Sequence, residues 1–502
     1  MNLLLDGKMW RRTTAAALFA GALMLTGCAV GPKYKRPQAE VPTVYKEAGN
    51  WKTAEPNEQN LGGNWWEIFQ DAQLNALEQQ VTVSNQNLKA AEAQYTQARA
   101  LVRYNRADYY PTLSVAPNAT RAKISSNTPP ANALSNGKTL TDIQLPFDVS
   151  YEVDAWGRVR SNVAAYRADA QASAADLAAV NLSMHAQLAM FYFQARSLDA
   201  QEQLLNSTVV QYEQALQLNQ VRFDGGVGSE VEVQQAKTQL ETTRAQAIDV
   251  GVQRSQFEHA VATLIGKPAS SFTLPPLPLT TPPPAIPVGL PSELLERRPD
   301  IASAERQMAA ANARIGVAKA AYYPLLSLTG TGGFESGSIS NLLTGPSALW
   351  AFGGAAIETI FDGGRRRAAS TQATAVYDQS VAVYRGTVLT GFQQVEDNLA
   401  ALRILENESK TQNEAVVAAQ KSLDLSVQRY EGGVTSYLEV TVAQSAALTN
   451  QVTAVNILGR RMVAAVQLIQ AVGGGWDSSS IPKNPECCGK LASASGPGSA
   501  SK

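Results

Sequence analysis

Cysteine is almost missing from this chain: there are three in 502 residues, and two of them, Cys487 and Cys488, are neighbours in a tail rich in Gly, Ser and Pro. Disulfides therefore do not hold the fold together, and packing must. Histidine is scarcer still. Neither His185 nor His259 has further ligands spaced near it, so a histidine metal site or nucleophile–base pair has no basis, and both read as packing or surface residues. Charge of one sign is missing too: 42 Lys and Arg balance 43 Asp and Glu, and no sustained basic run exists to bind nucleic acid. Beyond the N-terminus there is no run of about 18 apolar residues, which argues against a helical membrane protein. With no placed nucleophile or metal set, an enzyme is not indicated.

Proline is present but absent where it matters. None occurs between Pro146 and Pro268, or between Pro346 and Pro482. Proline costs a helix interior about 3 kcal/mol, so these gaps are where long helices are permitted. In the first gap, Arg158 to Asp224 also lacks Gly, and Leu177, Val180, Met184, Leu188, Phe191, Ala195 and Leu198 step by three and four. In the second, Val388, Phe392, Val395, Leu399, Leu402 and Leu405 do the same. Each predicts a helix of about 65 residues, roughly 100 Å long. Gly225-Gly226 and Gly432-Gly433 then supply turns, after which Ser229 to Ile265 and Thr435 to Val472 return as second helices.

These paired segments belong to an internal repeat. Tyr109-Tyr110-Pro111 returns as Tyr322-Tyr323-Pro324, Gly157-Arg158 as Gly364-Arg365, and the run Arg222 to Val227 as Arg429 to Val434. Between the Tyr-Tyr-Pro mark and the long helix the period changes to two: Ile143, Leu145, Phe147, Val149, Tyr151 and Val153 alternate with polar residues or proline. About eleven such residues suit one pass of a membrane barrel, and equally a soluble sheet with one wet face. Leu113 to Arg121 is its expected partner strand across a loop at 127–137, and Leu325 to Phe334 with Leu349 to Phe361 take the same places in the second half. Four strands cannot close a barrel, and open edges are not tolerated in lipid, so a membrane reading requires identical copies, two or three, to finish the wall.

The N-terminus has basic residues (Lys8, Arg11, Arg12), then an apolar run from Ala15 to Thr26, too short for a permanent span. Leu25-Thr26-Gly27-Cys28 resembles the bacterial lipobox. That resemblance implies cleavage before Cys28, diacylglycerol on its thiol and an N-acyl chain (palmitate) on its new amine, and Ala29 implies sorting to the outer membrane.

Taken together, Cys28 to Tyr34, Trp65-Trp66 with Phe69, Asp71 and Leu74, the segment LERRPDI from Leu295 to Ile301, the doubled Tyr-Tyr-Pro, and Phe361 to Arg365 resemble the outer membrane factors, the TolC-like and OprM-like channels of tripartite efflux systems. The likeness spans nearly the whole chain. It implies a mixed α and β membrane protein: a homotrimer with a twelve-stranded outer-membrane β-barrel, four strands per chain, continued by a periplasmic α-helical tube and girdled by a small mixed equatorial domain. The implied divisions are a signal peptide at 1–27, an N-terminal equatorial segment at 28–73, a first repeat at 74–267, a Pro-rich link at 268–291, a second repeat at 292–472 and a largely disordered tail at 473–502. Implied partners are outer-membrane lipid, a periplasmic adaptor (membrane fusion) protein and an RND-type inner-membrane pump. The family gate lies at the hairpin tips, where the matching positions are Tyr430, Leu438, Glu439 and Glu232, with the Gly225-Gly226 and Gly432-Gly433 turns as adaptor contacts. An Asp common in the family is replaced here by Val442, and a solvated helix surface explains either glutamate as well as a gate does. Exported drugs or small organic solutes fit this picture; type I protein secretion, metal-ion export, and a structural periplasmic lipoprotein scaffold are the other readings. Arg297-Arg298-Pro299-Asp300 reads as a helix start rather than a site.

Overall fold

The computed structural model of the chain describes residues 30–38, 41–48, 63–123, 125, 139–286 and 291–486. The leader, Cys28, the loop at 127–137, Cys487 and Cys488 lie outside them. In chain order the regular elements are α1 (Ala72–Ser84), α2 (Gln86–Arg106), β1 (Thr112–Val115), β2 (Asn118–Lys123), β3 (Thr139–Glu152), α3 (Arg158–Asp224), α4 (Glu230–Leu264), α5 (Leu294–Arg297), α6 (Pro299–Ala320), β4 (Leu325–Ser336), β5 (Ala348–Ile357), α7 (Arg365–Glu431) and α8 (Tyr437–Ala471).

Two rods dominate. α3 and α7 each have 67 residues, about 100 Å at 1.5 Å per residue. Each begins after a glycine in the left-handed region, Gly157 (φ 79°) and Gly364 (φ 89°), with an aspartate accepting from its first turn. Asp154 takes the Val159 and Arg160 N–H groups, and Asp362 those of Gly364 and Arg366. Along the far half of each rod its hairpin partner returns, α4 on α3 and α8 on α7. Along the near half, α2 and α6 pack on α3, and α6 also packs on α7.

The short helices are stacked end to end. Asn85 caps α2 by accepting from Leu88 N–H, and its amide donates to Leu264 O at the end of α4 (2.8 Å). In the second half Arg298, at the start of α6, donates to Ala471 O at the end of α8 (2.9 Å). Beside each joint sits a glycine with positive φ, Gly266 and Gly473, whose backbone approaches Ser84 O and Arg297 O so closely that no Cβ fits. LERRPDI is thus a helix start, with Pro299 in the first turn of α6, and its second arginine is a structural clamp.

The expected stripe on α7 is buried throughout, from Val388 to Leu405. On α3 the burial differs from expectation: Leu177, Val180, Met184, Phe191 and Leu198 are half-buried, while Ala186, Ala189, Tyr192, Phe193 and Arg196 are buried. The reason is that α3 has neighbours on several sides, so no single seam describes it. α8 has the length and apolar composition of a membrane span, which a count of consecutive apolar residues passes over. It is apolar because it lies between α7 and α3.

The five strands form one antiparallel sheet in the order β1 and β2 together, β3, β4, β5. β1 and β2 share one register on β3, from Thr112 opposite Ser150 to Lys123 opposite Thr139. The expected strand at 113–121 is therefore one strand broken at Ala116-Pro117, where neither Pro117 nor Pro146, opposite Ala116 in this register, has an N–H to donate. The register also separates two faces. Leu113, Val115, Ala119, Ile143, Leu145, Phe147, Val149, Tyr151, Leu328, Phe334, Trp350 and Phe352 share one face, and Gln144, Asp148, Ser150, Glu152, Thr329, Thr331 and Glu335 share the other. The weak alternation of the second half has a packing reason at one position: Gly330 on the apolar face leaves room for the Phe352 ring opposite it.

Two segments without regular structure bind the rods. In the Pro-rich link, Pro275 O accepts from buried Arg196, and Leu277 N–H donates to Asp199 (2.8 Å), which also pairs with Arg196 and Arg254. Of the tail expected to be largely disordered, residues 487–502 lie outside the described residues. Residues 473–486 are held by α2 and α3: Arg99 donates to Pro485 O (2.7 Å), Gln171 to Pro482 O (3.2 Å), and Arg167 to Glu486 (2.8 Å). Gly, Ser and Pro content signals a lack of regular structure, and here side chains of the helices satisfy the irregular backbone instead.

Candidate functional site

Both hairpins turn in the same way. Gly226 and Gly433 adopt φ of 74° and 73°, donating to Phe223 O and Tyr430 O (2.9 Å each), while Val227 and Val434 donate to Arg222 O and Arg429 O (3.0 and 2.9 Å). Only glycine enters this left-handed conformation without strain. A serine then opens each returning helix, and there the halves diverge. Ser229 closes a full capping box: its Oγ accepts from Val231 N–H, and Glu232 Oε2 accepts from the Ser229 N–H (3.2 Å). Ser436 makes no such side-chain cap, and Glu439 instead pairs with Arg429 at 3.4 Å, both half exposed.

Tyr430 is the centre of the tip. Its ring is buried against Tyr437 (centroids 5.3 Å apart) with Ala236 and Val440, and the Arg222 guanidinium lies 4.9 Å from its centroid. Its hydroxyl donates to Asn219 Oδ1 on α3 (2.6 Å) and lies 3.4 Å from Glu232 Oε2 on α4. One residue of the second hairpin thus fastens both helices of the first. Burial raises the Tyr430 phenol and pushes that of Tyr437 up to about 12, so both remain donors at neutral pH.

Of the residues expected at a gate, the structure brings together Tyr430 and Glu232. It places Glu439 elsewhere, on Arg429, and leaves Leu438 more than half exposed with no part in the cluster. Val442, in place of the family's Asp, is exposed as well. Sequence reasoning missed Asn219, Arg222 and Tyr437. Arg222 lay inside the repeated run, but Asn219 carries no signal, being one polar residue in a long helix.

The outer membrane efflux protein family model matches residues 77–267 and 290–474. This chain belongs to that family. The efflux protein is 32% identical to outer membrane protein OprJ of Pseudomonas aeruginosa over 462 residues, 91% of this chain and 95% of that one. It is 31% identical to the toluene efflux pump outer membrane protein TtgF of Pseudomonas putida, covering 91% of this chain and 96% of that one. Among solved structures, the outer-membrane channel OprN superposes with a TM-score of 0.84 at 27% identity, over 89% of this chain and all of that one. The efflux protein is accordingly an outer membrane component of a Gram-negative efflux system that extends into the periplasm, and its family consists of transport components rather than enzymes.

Proposed function

We propose that three copies of this chain close a twelve-stranded barrel through the outer membrane, continued by a tube of twelve helical strands of wall through the periplasm, as a passive conduit. The observation that carries this reading is the sheet. Its apolar face crosses every strand and is exposed, Trp350 to 76% and Phe352 to 82%, while among the described residues both outer strands have an unpaired edge. Lipid suits such a face, and in lipid an edge lacking partners costs several kcal/mol per group, so β5 of one copy must pair with β1 and β2 of the next. Twelve strands rather than eight leave room for a lumen.

Cys28 carries the diacylglycerol and N-acyl palmitate in this proposal. Val30 N–H donates to Trp156 O (3.3 Å), at the level where β3 gives way to α3. Two residues reach about 7 Å, so a lipid on the Cys28 thiol would lie near the periplasmic leaflet. TtgF is the outer membrane protein of a toluene efflux pump, and small organic solutes or drugs are the cargo class that this likeness supports. Energy comes from an RND-type inner-membrane pump through a periplasmic adaptor that engages the glycine turns at the tips.

At rest the tips converge and narrow the tube. Tyr430 holds the two hairpins of one copy together, and Glu232 with Glu439 and the exposed Leu438 border the axis, where carboxylates repeated three times favour cations. Planar-bilayer recording of the detergent-purified protein tests both levels. Wild type conducts with cation preference, and Glu232→Ala with Glu439→Ala changes the conductance and reduces that preference. Unchanged conductance and reversal potential in the double variant remove the gate assignment; absence of any conductance in wild type removes the conduit.

A further inference from the structure

The lipid-exposed face of the sheet does not stay apolar to its far end. Counting away from the helices, the last apolar pair across β2 and β3 is Ala119 with Ile143, and the next two levels are Arg121 with Thr141 and Lys123 with Thr139. Side chains two apart on a strand share a face, so Arg121 and Lys123 stand on the same side as Leu113 and Val115, about 7 Å from each other. Both are exposed, and neither makes an ion pair or a side-chain hydrogen bond among the described residues. Carboxylates are close in height but on the wrong side. Asp142 and Glu335 occupy the opposite face, where Asp142 accepts from Gln144 (2.7 Å). The sheet itself therefore keeps the two cations from their neighbouring anions.

Their depth fits a boundary. From Leu113 to Lys123 is ten residue steps, roughly 33 Å along the strand, which a tilt of about 40° reduces to about 25 Å, the height of the apolar band of outer-membrane barrels. Because α2 and α3 lie at the other end of β1 and β3, this end faces the exterior. Edge strands also carry lysine to discourage wrong pairing, but that device needs no arginine beside it and no segregation of charge across the sheet.

We propose that Arg121 and Lys123 bind the phosphates of lipid A, the anionic glycolipid of the outer leaflet, from each copy of the assembled channel. Two cations about 7 Å apart suit a diphosphorylated headgroup, with the arginine fork taking one phosphate in two hydrogen bonds and the lysine acting as a point charge. Acyl chains below them would lie on Ala119, Ile143 and Leu145. This rests on the barrel reading above, since only a sheet in the membrane presents this face to lipid.

Native mass spectrometry of the detergent-solubilised trimer, titrated with hexa-acylated diphosphoryl lipid A, tests it. Wild type retains lipid A in preference to monophosphoryl lipid A and to phosphatidylglycerol. The double variant Arg121→Gln, Lys123→Gln weakens retention about 25-fold, about 5-fold for each charge, whereas the charge-keeping Arg121→Lys, Lys123→Arg and the distant Arg385→Gln hold it. Equal retention by the glutamine variant overturns the proposal, as does equal retention of phosphatidylglycerol. A glutamine variant whose trimer melts earlier in lipid-free detergent, with lipid A retention unchanged, assigns the two residues to the neighbouring copy and overturns it as well. Failure of wild type to form a trimer or conduct strikes the barrel reading instead.

Discussion

The least expected group in the molecule is a buried acid against one of its two histidines. Glu78 on α1 and His185 on α3 are essentially inaccessible and meet at 2.6 Å, with Trp66 stacked on the imidazole (4.4 Å) and Thr82 Oγ1 3.4 Å from its other nitrogen. Burial pushes the Glu78 carboxyl well up and the His185 imidazole down to about 4, so the pair is held neutral. Against ordinary values of 4.5 and 6.5, the two act in opposite senses. Stability from Glu78 is complete below 4.5 and lost as pH rises toward its folded value, whereas stability from His185 is complete above 6.5 and lost as pH falls toward 4. Their slopes cancel between those ordinary values. Above 6.5 only the Glu78 slope remains, and stability falls by up to about 1.4 kcal/mol per pH unit. The melting temperature of wild type should decline from pH 6.5 to 8, and that of Glu78→Gln should stay flat. Parallel curves would mean that Glu78 is ionised in the fold.

Among elements, the joints between stacked helices matter more than the caps at the tips. Asn85 caps α2 and, through the other end of its amide, closes the last turn of α4, all in a buried position. Asn85→Ala removes both bonds and strands the Leu264 carbonyl, a loss of about 1–3 kcal/mol that lowers the melting temperature of the whole assembly. Ser229→Ala removes a cap of similar strength, about 1 kcal/mol, but from an exposed tip. Its effect should be confined to faster amide exchange in the first turn of α4, with the melting temperature unchanged. Equal melting shifts in the two variants would show that the tip and the joint unfold together. Helix lengths, the hairpin turns and the strand periods were legible because Pro and Gly mark where helices cannot run and alternation marks where a sheet faces two media. The joints were not, since an Asn or Arg that ties two helix ends together looks from sequence like any polar residue beside a break. The candidate site divides in the same way. Its turns stand out as repeated glycines, but Glu232 and Glu439 hold the same place in the repeat and behave differently, one closing a capping box beneath Tyr430 and the other pairing with Arg429. The contacts between hairpins, Tyr430 with Asn219 and with Glu232, are ones that no local pattern announces.

At the scale of the whole molecule, the fold is a set of rods without a deep core, joined to a sheet that has water-seeking groups on one face and lipid-seeking groups on the other. Its largest buried cluster lies where α1, α3, α6, α7 and α8 meet, and only small groups of buried residues follow it toward the tips. In the proposed assembly such a chain is completed as a wall when copies close around a lumen and the apolar face of each sheet enters the bilayer. The period of two makes this testable with neighbouring residues on β5. Phe352 lies on the apolar face across from Gly330, and Ala351 lies on the polar face across from Thr331. An arginine on the lipid side near mid-membrane costs about 2–4 kcal/mol per copy, falling toward zero at the interface, where the proposal puts Arg121. In the proposed trimer three copies multiply that cost. Phe352→Arg should therefore lose the trimer that resists detergent in an unheated gel, and Ala351→Arg, one residue away, should keep it with altered conductance. If both variants assemble equally well, the face carrying Trp350 and Phe352 does not meet lipid, and the barrel drawn from it does not exist.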